Sequence, residues 1–248
     1  MVCDMGCQIE RIEQVIRYSL WSSGKSGIVV GLSGGVDSAV VAALSSRAVG
    51  SERVLALLLP TDVTPEEDLS DARDLCVQLG ISWREISIEP MLRSFATLPD
   101  FQDSPYLLGN LMARIRMSVL YYTANREERL VCGTSNRSEY LLGYFTKHGD
   151  SAADIQPILH LYKTQVYTLA EELNIPAGIR SKDPSAGLWR GQTDEGEIGL
   201  PYAEIDSALI QLEINGWVAE SEVQERVLSL VKKSEHKRLP PPSLLRQI

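Results

Sequence analysis

Apolar residues along the chain switch repeatedly between two spacings. Ile9, Ile12, Ile16 and Leu20 recur at helical intervals and predict an amphipathic helix over about 8–22. Gly27 to Leu32 is a short β-branched run, the mark of a strand buried on both faces. After a polar loop, Ala39 to Leu44 reads as a buried helix. Val54 to Leu59 predict a second buried strand closed by Pro60. Leu69, Ala72, Leu75, Cys76 and Leu79 then give a helix ending at Gly80. Trp83, Ile86 and Ile88 predict a third strand, and a long helix follows over about 104–125. Arg129 to Cys132 form a fourth strand, ending at Gly133-Thr134. Strands alternating with helices predict an α/β fold, a doubly wound parallel sheet with helices on both faces.

The pattern then loosens. Residues 142–157 and 175–201 lose apolar periodicity and are rich in Gly, Asp, Ser, Thr and Lys. Polar stretches of that length in a compact domain are usually binding loops or lids. Between them Val166, Leu169, Ala170 and Leu173 mark a helix, and two more are expected around Leu209-Leu212 and Val223-Leu230. Leu239-Pro240-Pro241-Pro242-Ser243 reads as a weakly ordered tail, as do residues 1–8. With no internal repeat and no second apolar core, residues 1–248 are expected to form a single domain.

Composition narrows the classes. With 24 Lys+Arg against 33 Asp+Glu the net charge is −9, which argues against a protein built to bind nucleic-acid phosphates. It leaves room for an anionic small molecule in a cationic pocket. No segment approaches the ~18 consecutive apolar residues of a membrane span, and no basic region with an apolar core opens the chain. A cytoplasmic protein is expected. Cys76 and Cys132 fall on apolar patterns and read as buried, whereas Cys3 and Cys7 lack a third and fourth ligand at zinc-site spacing.

The segment between the first strand and its helix carries the chemistry. Ser33-Gly34-Gly35-Val36-Asp37-Ser38 has two adjacent glycines that let backbone N–H groups close on an anion, with a helix N-terminus behind them. Ser33 and Ser38 add hydroxyl donors, and Asp37 is an oxygen ligand suited to Mg²⁺. The register is not the G-x-G-x-x-G of a dinucleotide fingerprint, and the G-K-[ST] of a Walker loop is missing. A loop without that lysine suits cradling a pyrophosphate leaving group, with attack at the α-phosphorus.

This loop resembles the SGGxDS loop of the ATP pyrophosphatases, which activate substrates as adenylates. Downstream segments choose among them. Gly109-Asn110-Leu111-Met112-Ala113-Arg114-Ile115-Arg116-Met117 resembles the GN-x-x-AR-x-RM helix of NAD synthetases. Gly133-Thr134 with Glu139, and Gly143 to Asp150, resemble that family's GT-x₄-E and G-x-FTK-x-GD segments. Asp154, Leu161 to Val166, Pro184 to Leu188 and Glu235 to Arg238 follow in the family's order, so the likeness runs from about Ile9 to Arg238. The sequence departs from the pattern at Met112, at His148 and at Leu159-His160.

The resemblance implies the adenine nucleotide α-hydrolase-like form of the fold and a two-step ligation. ATP adenylates the nicotinate carboxylate of deamido-NAD, releasing pyrophosphate, and ammonia then displaces AMP to give NAD. It implies that Gly31, Leu32, Ser33, Gly34, Gly35, Val36, Asp37 and Ser38 bind ATP together with Thr134, Lys163 and Ser185. Asp37, Lys163, Ser33 and Ser38 are the implied catalytic set, with Mg²⁺ on Asp37 and Glu139. Arg114, Lys147, Asp154, His236 and Lys237 map to deamido-NAD contacts. A homodimer is implied, with no nucleic acid or membrane partner. Glutamine-using relatives carry an added amidase domain, which this sequence is not expected to contain, so ammonia is the expected donor. An acyl-adenylate must be shielded from water, which makes 142–157 and 181–200 the expected lids. A tRNA sulfur-transfer protein on the same loop is the alternative, disfavoured by the acidic balance and by Cys3 and Cys7 being the only close cysteine pair.

Overall fold

The computed structural model describes residues 5–244. Four strands form one parallel sheet: β1 (Gly27–Gly31), β2 (Val54–Leu58), β3 (Ser82–Glu85) and β4 (Arg129–Cys132), in the order β3-β2-β1-β4. Val29 of β1 lies opposite Leu55 of β2 on one side and Val131 of β4 on the other. Twelve α-helices surround the sheet among the described residues. They are α1 (Met5–Ser23), α2 (Val36–Val49), α3 (Glu66–Leu79), α4 (Glu89–Phe95), α5 (Pro105–Arg126), α6 (Arg137–Leu142), α7 (Lys163–Glu172), α8 (Ala177–Arg180), α9 (Asp194–Ile198), α10 (Tyr202–Ile214), α11 (Glu222–Lys233) and α12 (Glu235–Arg238).

Strand alternation explains the layers. Ile28 and Val30 point to one face, where α1, α2, α3 and α7 bury Ile12, Ile16, Val40, Leu75, Val166 and Leu169 against them. Val29 and Val131 point to the other face, covered by Met112, Ile115 and Ala124 of α5 and by Ile88. Each of the Val, Leu, Ile and Met side chains among them, taken fully out of water, contributes roughly 1.5–3 kcal/mol. Both faces are therefore dry over β1 and β2, as their unbroken apolar runs require.

Some elements differ from the sequence expectation. The first helix begins at Met5, so residues 5–8 are helical, while residues 1–4, including Cys3, lie outside the described residues. The third strand stops at Glu85 and is exposed throughout. Ile86 still donates its N–H to Leu58 O at 2.9 Å, but Ile88 turns inward, 0% exposed, and leads into α4, a short helix the sequence pattern does not reveal. The spacing of Trp83, Ile86 and Ile88 mimics strand alternation, although only Ile88 is fully buried, and a seven-residue helix is too short to show a period. A further apolar cluster, also not anticipated, joins Leu142, Tyr162, Leu209, Leu212, Val227 and Val231 of α6, α10, α11 and the α7 approach. Past α12, residues 239–244 adopt no regular structure, and the last four lie outside the described residues.

Candidate active site

Chain direction creates the crevice. From β1 the chain winds outward through β2 to β3, then returns to place β4 on the opposite side of β1. The loops leaving β1 and β4 therefore diverge, and a ligand crevice opens between them at the carboxyl end of the sheet. The segments 32–35 and 133–136 line it, the first carrying the Gly-Gly turn and the second Thr134 and Asn136.

The turn is built for close approach. Gly34 has φ +84°, and a Cβ there would lie 2.5 Å from Asp68 O at the start of α3. Ser38 Oγ donates to Gly35 O at 3.0 Å and accepts from Ser33 N–H at 3.2 Å. Ser33 Oγ accepts from Gly35 N–H at 3.3 Å and lies 3.2 Å from Ser38 Oγ. The two hydroxyls thus brace the loop from inside. α2 begins at Val36, so the first-turn N–H groups of Val36, Asp37 and Ser38 lack intrahelical partners and face outward from the helix end.

Three elements deliver charge to one point. Asp37 comes from the first turn of α2, Glu139 from the first turn of α6, and Lys163 is the first residue of α7. Lys163 Nζ donates to Asp37 Oδ2 at 2.5 Å and to Glu139 Oε1 at 3.1 Å. Its side chain is 3% exposed, against 17% for each carboxylate. The ammonium also stands 5.2 Å from the centre of the Tyr202 ring. Burial opposes its charge, but the two carboxylates overcome burial and raise its pKa, so it stays protonated. Burial pushes the Glu139 carboxyl up to about 8, opposed by Lys163 and assisted by the nearby Asp37 charge.

Asn136, which sequence reasoning did not assign to the site, clamps both acids. Its side-chain N–H donates to Asp37 Oδ1 at 2.8 Å, and its Oδ1 accepts from Glu139 N–H at 3.0 Å. Glu139 Oε2 accepts in return from the Asn136 N–H at 3.4 Å, a reciprocal capping box. The Asn-x-x-Glu spacing was the available signal. Tyr202 was missed too: its hydroxyl donates to the buried Asp194 Oδ2 at 3.1 Å, behind Lys163.

The other sequence-assigned residues fall into separate groups. Arg114 donates to Lys147 O at 3.3 Å, and Lys147 Nζ donates to His236 O at 2.8 Å. Lys237 Nζ donates to Gly143 O at 2.7 Å and Phe145 O at 2.8 Å, and burial lowers its pKa. These four residues gather around the segment 143–147. Asp154 is apart from them, accepting from Val131 N–H at 2.8 Å and from the Tyr121 hydroxyl at 3.4 Å beside the end of β4. Ser185 is exposed on the 181–193 loop, where its hydroxyl accepts from Gly187 N–H at 3.1 Å.

The parallel sheet and its helices define an α/β protein with the adenine nucleotide α-hydrolase-like fold. The family model described as NAD synthase matches residues 8–241. The chain is 60% identical over 245 residues to the NH(3)-dependent NAD(+) synthetase of Methanoregula boonei, covering 99% of both chains. In three dimensions it is similar to an NMN synthetase from Francisella tularensis (TM-score 0.88, 38% identity, 97% of this chain and 98% of the other). It is likewise similar to the NH3-dependent NAD synthetase of Campylobacter jejuni (TM-score 0.85, 34% identity, 98% and 99%). The chain belongs to the NAD synthase family.

Proposed function

We propose that the crevice joins ammonia to the nicotinate carboxylate of deamido-NAD at the expense of ATP. The activity is that of an ammonia-dependent NAD⁺ synthetase, a carbon–nitrogen ligase. A carboxylate is a poor acyl group because its charge repels nucleophiles and its oxygen leaves badly. Its oxygen attacks the α-phosphorus of ATP, an O–P bond forms, and the bond to the β-phosphate oxygen breaks with release of pyrophosphate. The ammonia lone pair then attacks the activated carbonyl, a proton is lost to solvent, and AMP departs.

In this reading the 31–38 loop, Thr134 and Ser185 hold ATP, and Lys163 neutralises charge that accumulates as pyrophosphate separates. Arg114, Lys147, Asp154, His236 and Lys237 hold deamido-NAD, the cations opposing its phosphates. Asp37 and Glu139 fit Mg²⁺, since both acids converge on one ammonium and such ions take one or two carboxylates plus substrate phosphates. When bound, the ion supplies Lewis acidity at the phosphates. The observation that carries the reading is the meeting of Asp37, Glu139 and Lys163 beside the Gly-Gly loop. A homodimer and a cytoplasmic location complete it. In support, α5 leaves Tyr106, Leu107 and Tyr122 exposed, and no helix among the described residues is long and apolar enough to cross a membrane.

The likeness to an NMN synthetase makes nicotinate mononucleotide the competing acceptor. The test supplies ATP, Mg²⁺ and ammonium with either acceptor and omits one component at a time. NAD with stoichiometric AMP and pyrophosphate, and no product when glutamine replaces ammonium, is expected. Preference for the mononucleotide by kcat/KM would reassign the substrate and keep the chemistry. Asp37→Ala is expected to lower turnover by at least about a hundredfold in a protein that still folds, with a lowered melting temperature because buried Lys163 loses one of its two carboxylate partners. Near-normal turnover would remove Asp37 from the mechanism.

A further inference from the structure

Lys163 is held from behind by groups that have no part in the chemistry above. Asp206, on α10, is 2% exposed. Its Oδ2 accepts from Thr164 N–H at 2.8 Å, and its Oδ1 accepts from the Ser138 hydroxyl. Ser138 Oγ in turn accepts from the Lys163 N–H at 2.9 Å. One buried carboxylate thus secures the first two residues of α7, the second directly and the first through a single hydroxyl. Those N–H groups have no acceptor within their own helix, and the positive helix end favours an anion there.

The connectivity reaches both sides of the charged cluster. Ser138 precedes Glu139 in α6, Thr164 follows Lys163 in α7, and Asp206 belongs to a third helix. A shift of α6 against α7 would break either the Ser138–Lys163 bond or the Ser138–Asp206 bond. Displacing a catalytic group by about 1 Å can cost roughly a hundredfold in rate. Exposed polar contacts would give way to water at small cost, but Ser138 is 0% exposed, so this network has no such substitute.

We propose that Ser138 and Asp206 are positioning residues, which fix the Lys163 backbone so that its ammonium meets Asp37, Glu139 and the departing pyrophosphate. The proposal rests on the role given to Lys163 under the proposed function. Ser138→Ala leaves the Lys163 N–H without its acceptor, and Asp206→Ala does the same to Thr164. Asp206→Asn is the conservative control. Its amide oxygen can accept from Thr164 N–H while its N–H₂ donates to Ser138 Oγ, which remains free to accept from Lys163.

The experiment measures kcat and KM for both substrates in these variants, with ATP titration calorimetry giving the binding-competent fraction of chains. Ser138→Ala is also made in a Lys163→Met background, assayed with isotope-labelled acceptor so that slow rates stay readable. Ser138→Ala and Asp206→Ala are expected to lower kcat by at least about tenfold with KM for ATP within about threefold, and Asp206→Asn to recover most of the loss. In the Lys163→Met background, Ser138→Ala is expected to lower the rate no further. Equal fold-losses in both backgrounds would overturn the proposal. So would a fall in kcat matched by the fall in binding-competent chains. Parent-like turnover in Lys163→Met would overturn the role of Lys163 itself. A slow Lys163→Met beside parent-like Ser138→Ala and Asp206→Ala would overturn positioning alone.

Discussion

A lysine that is 2% exposed and still protonated exists only because its surroundings replace water for it. Two carboxylates and an aromatic face do so at Lys163, and removal of either acid leaves a buried, undercompensated charge. Gly34 is fixed as firmly by shape. With φ +84° and Asp68 O where a Cβ would stand, Gly34→Ala is expected to destabilise the fold by roughly 1–3 kcal/mol, or to displace the loop. Urea unfolding reads the first effect and KM for ATP the second. An alanine variant matching the parent in both would show that the loop tolerates the side chain. At this scale the loop was legible, because its glycines, serines and aspartate are contiguous. Asn136 and Tyr202 were not, since what brings each into the site is a contact distant in the chain, with Asp37 for Asn136 and with Lys163 for Tyr202, beside their local bonds to Glu139 and Asp194.

The long polar segments acquire structure from one another. Leu188 packs against Gly109 of α5, where a Cβ would stand 2.9 Å from its Cδ1. Lys182 bridges to Asp68 and Asp71 of α3 at 2.6 and 2.5 Å, and the Tyr144 hydroxyl donates to Glu197. These tethers connect the 142–157 and 181–200 segments to the walls of the crevice and to each other. The polar tethers lie at partly exposed sites, where such bonds open at little cost. Limited proteolysis within 181–200 is therefore expected to slow when ATP and deamido-NAD are both present, and to quicken in Tyr144→Phe. Equal cleavage rates with and without substrates would rule out a lid. The helices that pack on the sheet were legible in outline because burial imposes a period. The short helices α4, α8 and α9 were not, because they span only one or two turns and take their positions from neighbours.

Across the whole molecule, the acidic balance of −9 coexists with a cationic group around 143–147, where Arg114, Lys147 and Lys237 come from three parts of the chain. Sedimentation velocity is expected to give a species of about 55 kDa, twice the 27.5 kDa chain. Substituting Leu107 and Tyr122 of α5 by Glu is expected to shift it to the monomer mass. A monomeric parent protein would remove the dimer from the proposed function. The sequence alone determined the alternation of strands and helices, the dry central strands, the Gly-Gly turn and the family likeness, because each is a local pattern in which spacing dictates burial or backbone shape. Tertiary structure alone decided the strand order, which sets β4 beside β1 and opens the crevice. It decided too that Asp37, Glu139 and Lys163, separated by as many as 126 residues, meet at one ammonium. Local spacing carries no information about which distant helix ends converge; that is settled by how the layers pack.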